Sequence, residues 1–350
     1  MRRLYNLLKF CRTEEIQMTD NEKEYKAVIT RVGIVLLLFL LFFNVGGIIV
    51  SAIAEVLNYT LDESVYVYVI TEILSSAVYL LSFLLSAFIF RKISSGKTEV
   101  QPLRLNFRLP LSAPLVILAG ISLILAAAYV NSFLFSAFFG SGNVTVEAMA
   151  ETTSLPPYAI VLSVMSTALV PALGEEFLFR GTILSNLMPY GKTGAIIGSA
   201  ILFGLMHQNA QQIFYATASG ILLGYVYVKT GSIWCGTLIH FFNNAFGVLE
   251  TVILSGNDVQ TATKYISNFV FAVFALGALS LLYFAVKAVR RAKAGDPADG
   301  GSFGKMLETT ADYASVPIEP TRRSKLFWAP PVVVFAAISV VEMILRILLQ

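Results

Sequence analysis

This sequence predicts an all-α, polytopic transmembrane helical bundle. Three observations point there: a composition too apolar for water, nine long apolar runs, and an alternating placement of lysine and arginine between them. Of the 350 residues, 56% are hydrophobic and 13% charged, against about 25% charged in ordinary soluble domains. Mean hydropathy is +0.73. A water-exposed fold of this size cannot hide so much apolar surface, so the bilayer is the expected solvent. The net charge of +3 is too small to suggest a nucleic-acid partner.

The apolar runs cover 32–56, 65–90, 111–139, 157–188, 193–210, 212–229, 232–254, 265–287 and 327–349. A crossing needs about 20 such residues, so the runs make eight core spans and a ninth, C-terminal helix. The first follows a charged segment, 1–31, and is too long and too late for a cleaved signal peptide. That segment holds Arg2, Arg3, Lys9, Arg12, Lys23, Lys26 and Arg31. Arg91, Lys92, Lys97, Arg104 and Arg108 follow the second run, Lys192 the fourth, Lys229 the sixth, and Lys287, Arg290, Arg291 and Lys293 the eighth. The connections 58–64 and 140–157 carry no basic residue. The excess of positive charge on cytoplasmic loops then sets the N-terminus inside, with alternation through eight spans.

The bundle is expected over 32–289, followed by a polar, flexible cytoplasmic linker over 290–325, rich in Gly, Asp and Pro. The last helix, 326–350, holds Glu342 and Arg346, four apart and so able to pair on one face. It reads as an element for structure or assembly. Cys11 and Cys235 are far apart and form neither a metal nor a redox motif. Cys235 reads as a small buried apolar residue.

Charges inside a span cost roughly 2.5–3.5 kcal/mol each on insertion scales. The fourth run nevertheless contains Glu175, Glu176 and Arg180. Glu176 and Arg180 are one turn apart and can pair. Glu175 lies about 100° round the helix from Glu176 and is free to face a cavity. The chain's two histidines, His207 and His240, both fall in apolar runs, and Asn244 shares a helix face with His240. From the cytoplasmic ends, Glu175, His207 and His240 are each about 9–14 residues deep, roughly 14–21 Å. They can share one layer, expected to open, if anywhere, toward the cytoplasm.

A desolvated carboxylate can act as general base toward water. Two histidines and a glutamate can equally hold a divalent metal, and Asn244 with an imidazole can donate to an oxyanion. No serine or cysteine stands in a nucleophile setting. The structural alternative is that these groups only bond neighbouring helices, and for Glu176 with Arg180 the two readings are evenly matched. Glu72 and Glu250, isolated near span ends, read as structural.

Glu175-Glu176-x-x-x-Arg180, Phe203-x-x-x-His207 and His240-x-x-x-Asn244 together resemble the three signatures of the CPBP family, the type II CAAX prenyl endopeptidases and bacteriocin-processing (Abi) intramembrane proteases. The segments Gly220–Tyr227 and Thr230–Trp234 are similar to bacterial members, and the resemblance covers a core of about residues 157–250. It implies Glu175 as the carboxylate that activates water, supported by Glu176 and Arg180. His207 would lie beside the water or metal, His240 and Asn244 would stabilise the oxyanion, and Phe203 would pack. It leaves open a divalent metal, zinc by expectation, held by Glu175, His207 and His240, or a Glu/His site without one.

The expected partners are the lipid bilayer and a membrane-anchored protein or peptide substrate, prenylated or bacteriocin-like, in a bacterial plasma membrane. The runner-up is a non-catalytic immunity or adaptor protein of the same family. A proton-coupled transporter is disfavoured, because the charges crowd into three spans rather than two matching halves.

Overall fold

A computed structural model describes residues 18–60, 64–96, 100–103, 109–139, 155–293 and 318–348. Cys11, the first seventeen residues and most of the 290–325 linker lie outside them. The described residues form ten helices and no strand: α1 Asp20–Thr60, α2 Ser64–Ser94, α3 Ala113–Phe139, α4 Pro157–Tyr190, α5 Lys192–Met206, α6 Ala210–Thr230, α7 Ile233–Gly256, α8 Val259–Lys293, α9 Pro320–Phe327 and α10 Pro330–Leu348. Each of the nine apolar runs becomes one helix, and α9 is additional.

Seven of the ten are long and apolar enough to cross a bilayer: α1, α2, α3, α4, α7, α8 and α10. The other two runs, α5 and α6, form a tightly packed antiparallel hairpin. At 15 residues, α5 measures about 22 Å, short of a hydrocarbon core of about 30 Å. Apolar side chains such as Ile48, Phe133, Phe271 and Leu279 face outward, as a lipid solvent requires and water would penalise.

Local signals set the helix ends. Thr19 and Glu22 form a reciprocal capping box at the start of α1: Thr19 N–H donates to Glu22 Oε2 at 2.9 Å and Glu22 N–H to Thr19 Oγ1 at 3.3 Å. Asp258 accepts from the backbone N–H groups of Gln260 and Thr261 and starts α8. Gly231, at φ 62°, ends α6 in the left-handed conformation.

In the bundle α1 packs on α2 and α2 on α4, while α3 gathers α6, α7 and α8 around it. Small residues allow the closest approaches, as in other membrane bundles. A Cβ at Gly220 would lie 3.0 Å from Ala200 Cα across the α5–α6 contact, and one at Gly204 would lie 2.8 Å from Ile213 O.

The C-terminal helices dock on this bundle. Arg322 bonds both oxygens of Glu22 at 2.8 Å, and Arg323 donates to Tyr190 O at 2.6 Å. Ile318 and Phe327 pack on the main core. The end of the expected linker is therefore a helix fastened to α1 and to the end of α4, because its arginines find partners there. Glu342 and Arg346 are both exposed, and no ion pair joins them among the described residues.

Candidate active site

The site is built on irregular helix. Pro171 has no N–H to give to the preceding turn, and its ring crowds the carbonyl four residues back. The chain answers with a wide, π-helical stretch, Val164–Leu169, in which the Val170 N–H reaches back to Met165 O. A second π-helical stretch covers Phe179–Leu184. Glu175 and Glu176 lie on the α-helical turns between them, Val170–Leu178.

Both carboxylates are buried, at 3% and 0% exposure, together with Arg180 at 1%. Arg180 Nη1 lies 2.8 Å from Glu176 Oε1, a close ion pair without hydrogen-bond alignment at that nitrogen. Nη2 donates to Gly220 O at 3.3 Å, and the guanidinium sits 4.6 Å above the Phe203 ring. The Glu176–Arg180 pair is thus local, while its surroundings come from α5 and α6.

Glu175 faces the other way. Its Oε1 accepts from Tyr79 Oη, on α2, at 2.6 Å, and its Oε2 has no protein hydrogen-bond partner. His240 stands between the two carboxylates, with Nδ1 3.1 Å from Glu176 Oε1 and Nε2 3.8 Å from Glu175 Oε2. A carboxylate can only accept, so the Nδ1 proton points at Glu176 and Nε2 is left toward Glu175.

His207 arrives from the end of α5. Glu175 and His207 lie sixteen positions before and sixteen after Gly191, the turn between α4 and α5, so the antiparallel pair brings them to about the same height. The helix stops at His207, Gln208 adopts a left-handed φ of 50°, and Asn209 caps α6 by accepting from Gln211 N–H. His207 Nδ1 lies 2.8 Å from Phe203 O. That carbonyl only accepts, which again fixes the proton on Nδ1 and leaves Nε2 as an acceptor. Phe203, expected only to pack, meets His207, His240 and Phe179 edge-on as well as Arg180.

Asn244 is oriented by a relay. Tyr215 Oη donates to Asn243 Oδ1 at 2.8 Å, and Asn243 Nδ2 donates to Asn244 Oδ1 at 3.1 Å. The Asn244 amide N–H groups are thereby the end available to a ligand. Tyr79, Tyr215 and Asn243 were not singled out from sequence. Tyrosines number fifteen in the chain, and nothing local marks these two.

Glu175, His207, His240 and Asn244 share the wall of an inner cavity of about 70 Å³, room for at least a water. A cavity of about 800 Å³ also reaches Glu175, His207 and Asn244. Its walls are the C-terminal halves of α3 and α7, Leu155 and the first half of α4 as far as Glu175, and the start of α6. Those ends lie opposite the ones bearing Arg91, Lys92, Lys192, Lys229 and Lys287. Relative to the basic ends, which the sequence reading assigns to the cytoplasm, the cavity opens at the opposite end of the spans from the expected one. α5 ends level with Glu175 while α4 continues to Pro157, and the space not filled by α5 lies at the end of the bundle away from the main basic cluster, where Lys264 and Arg346 are the basic residues among the described ones. Glu250, expected to be structural, lines this cavity.

A metal fits less well. Among the described residues no three His, Cys, Asp or Glu side chains converge to hold an ion. Glu175 and His240 approach each other, and the Nδ1 bond of His207 to Phe203 O leaves its Nε2 open, but His207 does not join them in one cluster of three. Cys235 is buried and free.

Residues 157–246 match the family described as type II CAAX prenyl endopeptidase Rce1-like. The chain is 29% identical over 94 residues to a Bacillus subtilis (strain 168) protein named as membrane peptidase YdiL, an alignment covering 26% of this chain and 38% of that one. It is 23% identical over 164 residues to the membrane-embedded CAAX protease MroQ of Staphylococcus aureus (strain USA300), covering 45% and 65% respectively. The chain therefore spans less than two thirds of the length of either relative. No solved structure matches it significantly. The matched segment runs from the first residue of α4 to the middle of α7 and contains Glu175, Glu176, Arg180, His207, His240 and Asn244 but not Tyr79, so residues 157–246 of this multi-pass membrane protein are a domain of the Rce1-like CAAX prenyl endopeptidase family.

Proposed function

We propose that the chain is an intramembrane endopeptidase that hydrolyses a peptide bond of a membrane-anchored polypeptide with water activated by Glu175. The observation carrying this reading is the state of Glu175: buried on a cavity wall, one oxygen held by Tyr79, the other without a protein hydrogen-bond partner. Such a carboxylate can take a proton from water. His207 Nε2 accepts the water's second hydrogen bond and turns its lone pair toward the substrate carbonyl carbon.

As the hydroxide adds, charge collects on the carbonyl oxygen. Asn244 Nδ2 donates to it, and His240 Nε2 does so when the ring carries a second proton. The protonated Glu175 then returns its proton to the leaving nitrogen. The C–N bond breaks, and an amine and a carboxylic acid leave. Arg180 balances the charge of Glu176 and holds it in place. With the N-terminus cytoplasmic, the scissile bond enters from the non-cytoplasmic side.

The test uses full-length protein in detergent or bilayers with a pool of membrane-anchored and prenylated peptides, the products read by mass spectrometry. Wild type is expected to cleave, and Glu175→Gln, which keeps the shape but takes no proton, to lose about 10²–10⁴-fold in rate. A chelator should leave the wild-type rate unchanged, and its abolition would instead make the site metal-dependent. Absence of cleavage by folded wild type across the pool would favour a non-catalytic adaptor.

A further inference from the structure

The Glu22–Arg322 pair holds α9 in place, and the outward apolar faces meet lipid. One group in the large cavity has no structural duty. Glu250, on α7, has no hydrogen bond or ion pair among the described residues, although it is half-buried in the cavity wall. An unpaired carboxylate inside a span is costly and calls for a partner.

The geometry relates Glu250 to the reacting centre. Asn243, Gly247, Glu250 and Thr251 line the cavity from one face of α7, at the spacing of successive helical turns. Glu250 is seven residues beyond Asn243 toward the mouth, about 10 Å along the axis. An extended peptide advances about 3.3 Å per residue. A substrate chain running from Glu175 to the mouth therefore passes Glu250 about three residues from the bond being cut.

The charge of the cavity is one-sided. Apart from Tyr79, Tyr129 and Tyr215, its ionisable lining residues are Glu175, Glu250 and His207, with no lysine or arginine among them. Away from bulk water, a carboxylate on such a wall attracts a cation and repels an anion more strongly than it would at an open surface.

We infer that Glu250 is a specificity-determining residue: it selects substrates with a lysine or arginine two to four residues from the scissile bond, and disfavours those with an acidic residue there. This rests on the endopeptidase reading of the same cavity. Because basic residues concentrate on the cytoplasmic side of membrane proteins, a requirement for one at the opposite face would separate a few anchored segments from the many that lack it.

The experiment uses full-length wild type, Glu250→Gln and Glu250→Lys, and lipid-anchored peptides that place Lys, norleucine or Glu at each of the five positions either side of the cleaved bond. Wild type should favour Lys over Glu by at least about tenfold in kcat/KM at one position two to four residues away, a difference of about 1.4 kcal/mol. Glu250→Gln should erase the preference while still cleaving the norleucine peptide, and Glu250→Lys should reverse it. Cleavage with no charge preference, or the same preference in Glu250→Gln, overturns the inference and leaves the endopeptidase standing. If no peptide is cleaved, the catalytic reading falls. Fluorescence anisotropy of the same peptides then decides the inference: tighter binding of Lys than Glu peptides that vanishes in Glu250→Gln supports it, and equal binding overturns it.

Discussion

At the scale of single residues, the two adjacent glutamates illustrate how one helix turn separates two duties. Glu176 faces Arg180 and His240 Nδ1, and its Oε1 is the point on which both converge. Glu175, rotated by about 100°, meets a neutral phenol and the cavity instead. The spacing Glu176-x-x-x-Arg180 was legible because i,i+4 pairing is a local rule. Tyr79 was not, because its partner is 96 residues away and only the packing of α2 on α4 joins them. Since Tyr79 holds the Glu175 oxygen that faces away from the free one, Tyr79→Phe should let the base rotate. The expected outcome is a fall in kcat of about tenfold with KM nearly unchanged, the mark of an interaction used in the transition state rather than in binding.

At the scale of elements, the site depends on helices that depart from regularity. Pro171 imposes a π-helical stretch, and α5 ends early at His207. The run boundary near 210 was visible in sequence. That it marks a turn level with Glu175, rather than a membrane face, was not. The appended helices are regular and serve a separate purpose. α10 lies so close to α1 that a Cβ at Gly33 would come within 2.5 Å of Val332 N and 2.7 Å of Pro331 C. Gly33→Leu should therefore force the two apart, costing roughly 1–3 kcal/mol as overpacking does. No residue of α9 or α10 lines the cavity. The substitution should accordingly lower the melting temperature in detergent without changing kcat/KM, and a matching loss of activity would show that α10 supports the site.

At the scale of the whole molecule, two asymmetries lie along one axis. Basic residues gather at one end of the spans, and the cavity opens at the other. If lysine and arginine set the orientation, the cavity faces the non-cytoplasmic side. With Cys11 and Cys235 changed to serine, Thr251→Cys at the mouth should react with an impermeant maleimide added to intact cells. Ser324→Cys, beside the arginines of α9, should react only after lysis. The opposite pattern would invert the topology and move the cutting site to the cytoplasm.

The sequence alone determined that this chain lives in a membrane, how many apolar helices it forms and which buried polar residues need an explanation, because hydropathy, insertion cost and i,i+4 spacing act within one helix. The tertiary structure decided which of those residues meet, what holds them, and where the cavity opens. These depend on the relative heights and approach of helices far apart in the chain. The length of α5 and the glycine contacts between helices set those heights, and no single run of residues encodes them. For the same reason Glu250 reads along the chain as an isolated charge and gains a reason only on the cavity wall, in line with Glu175.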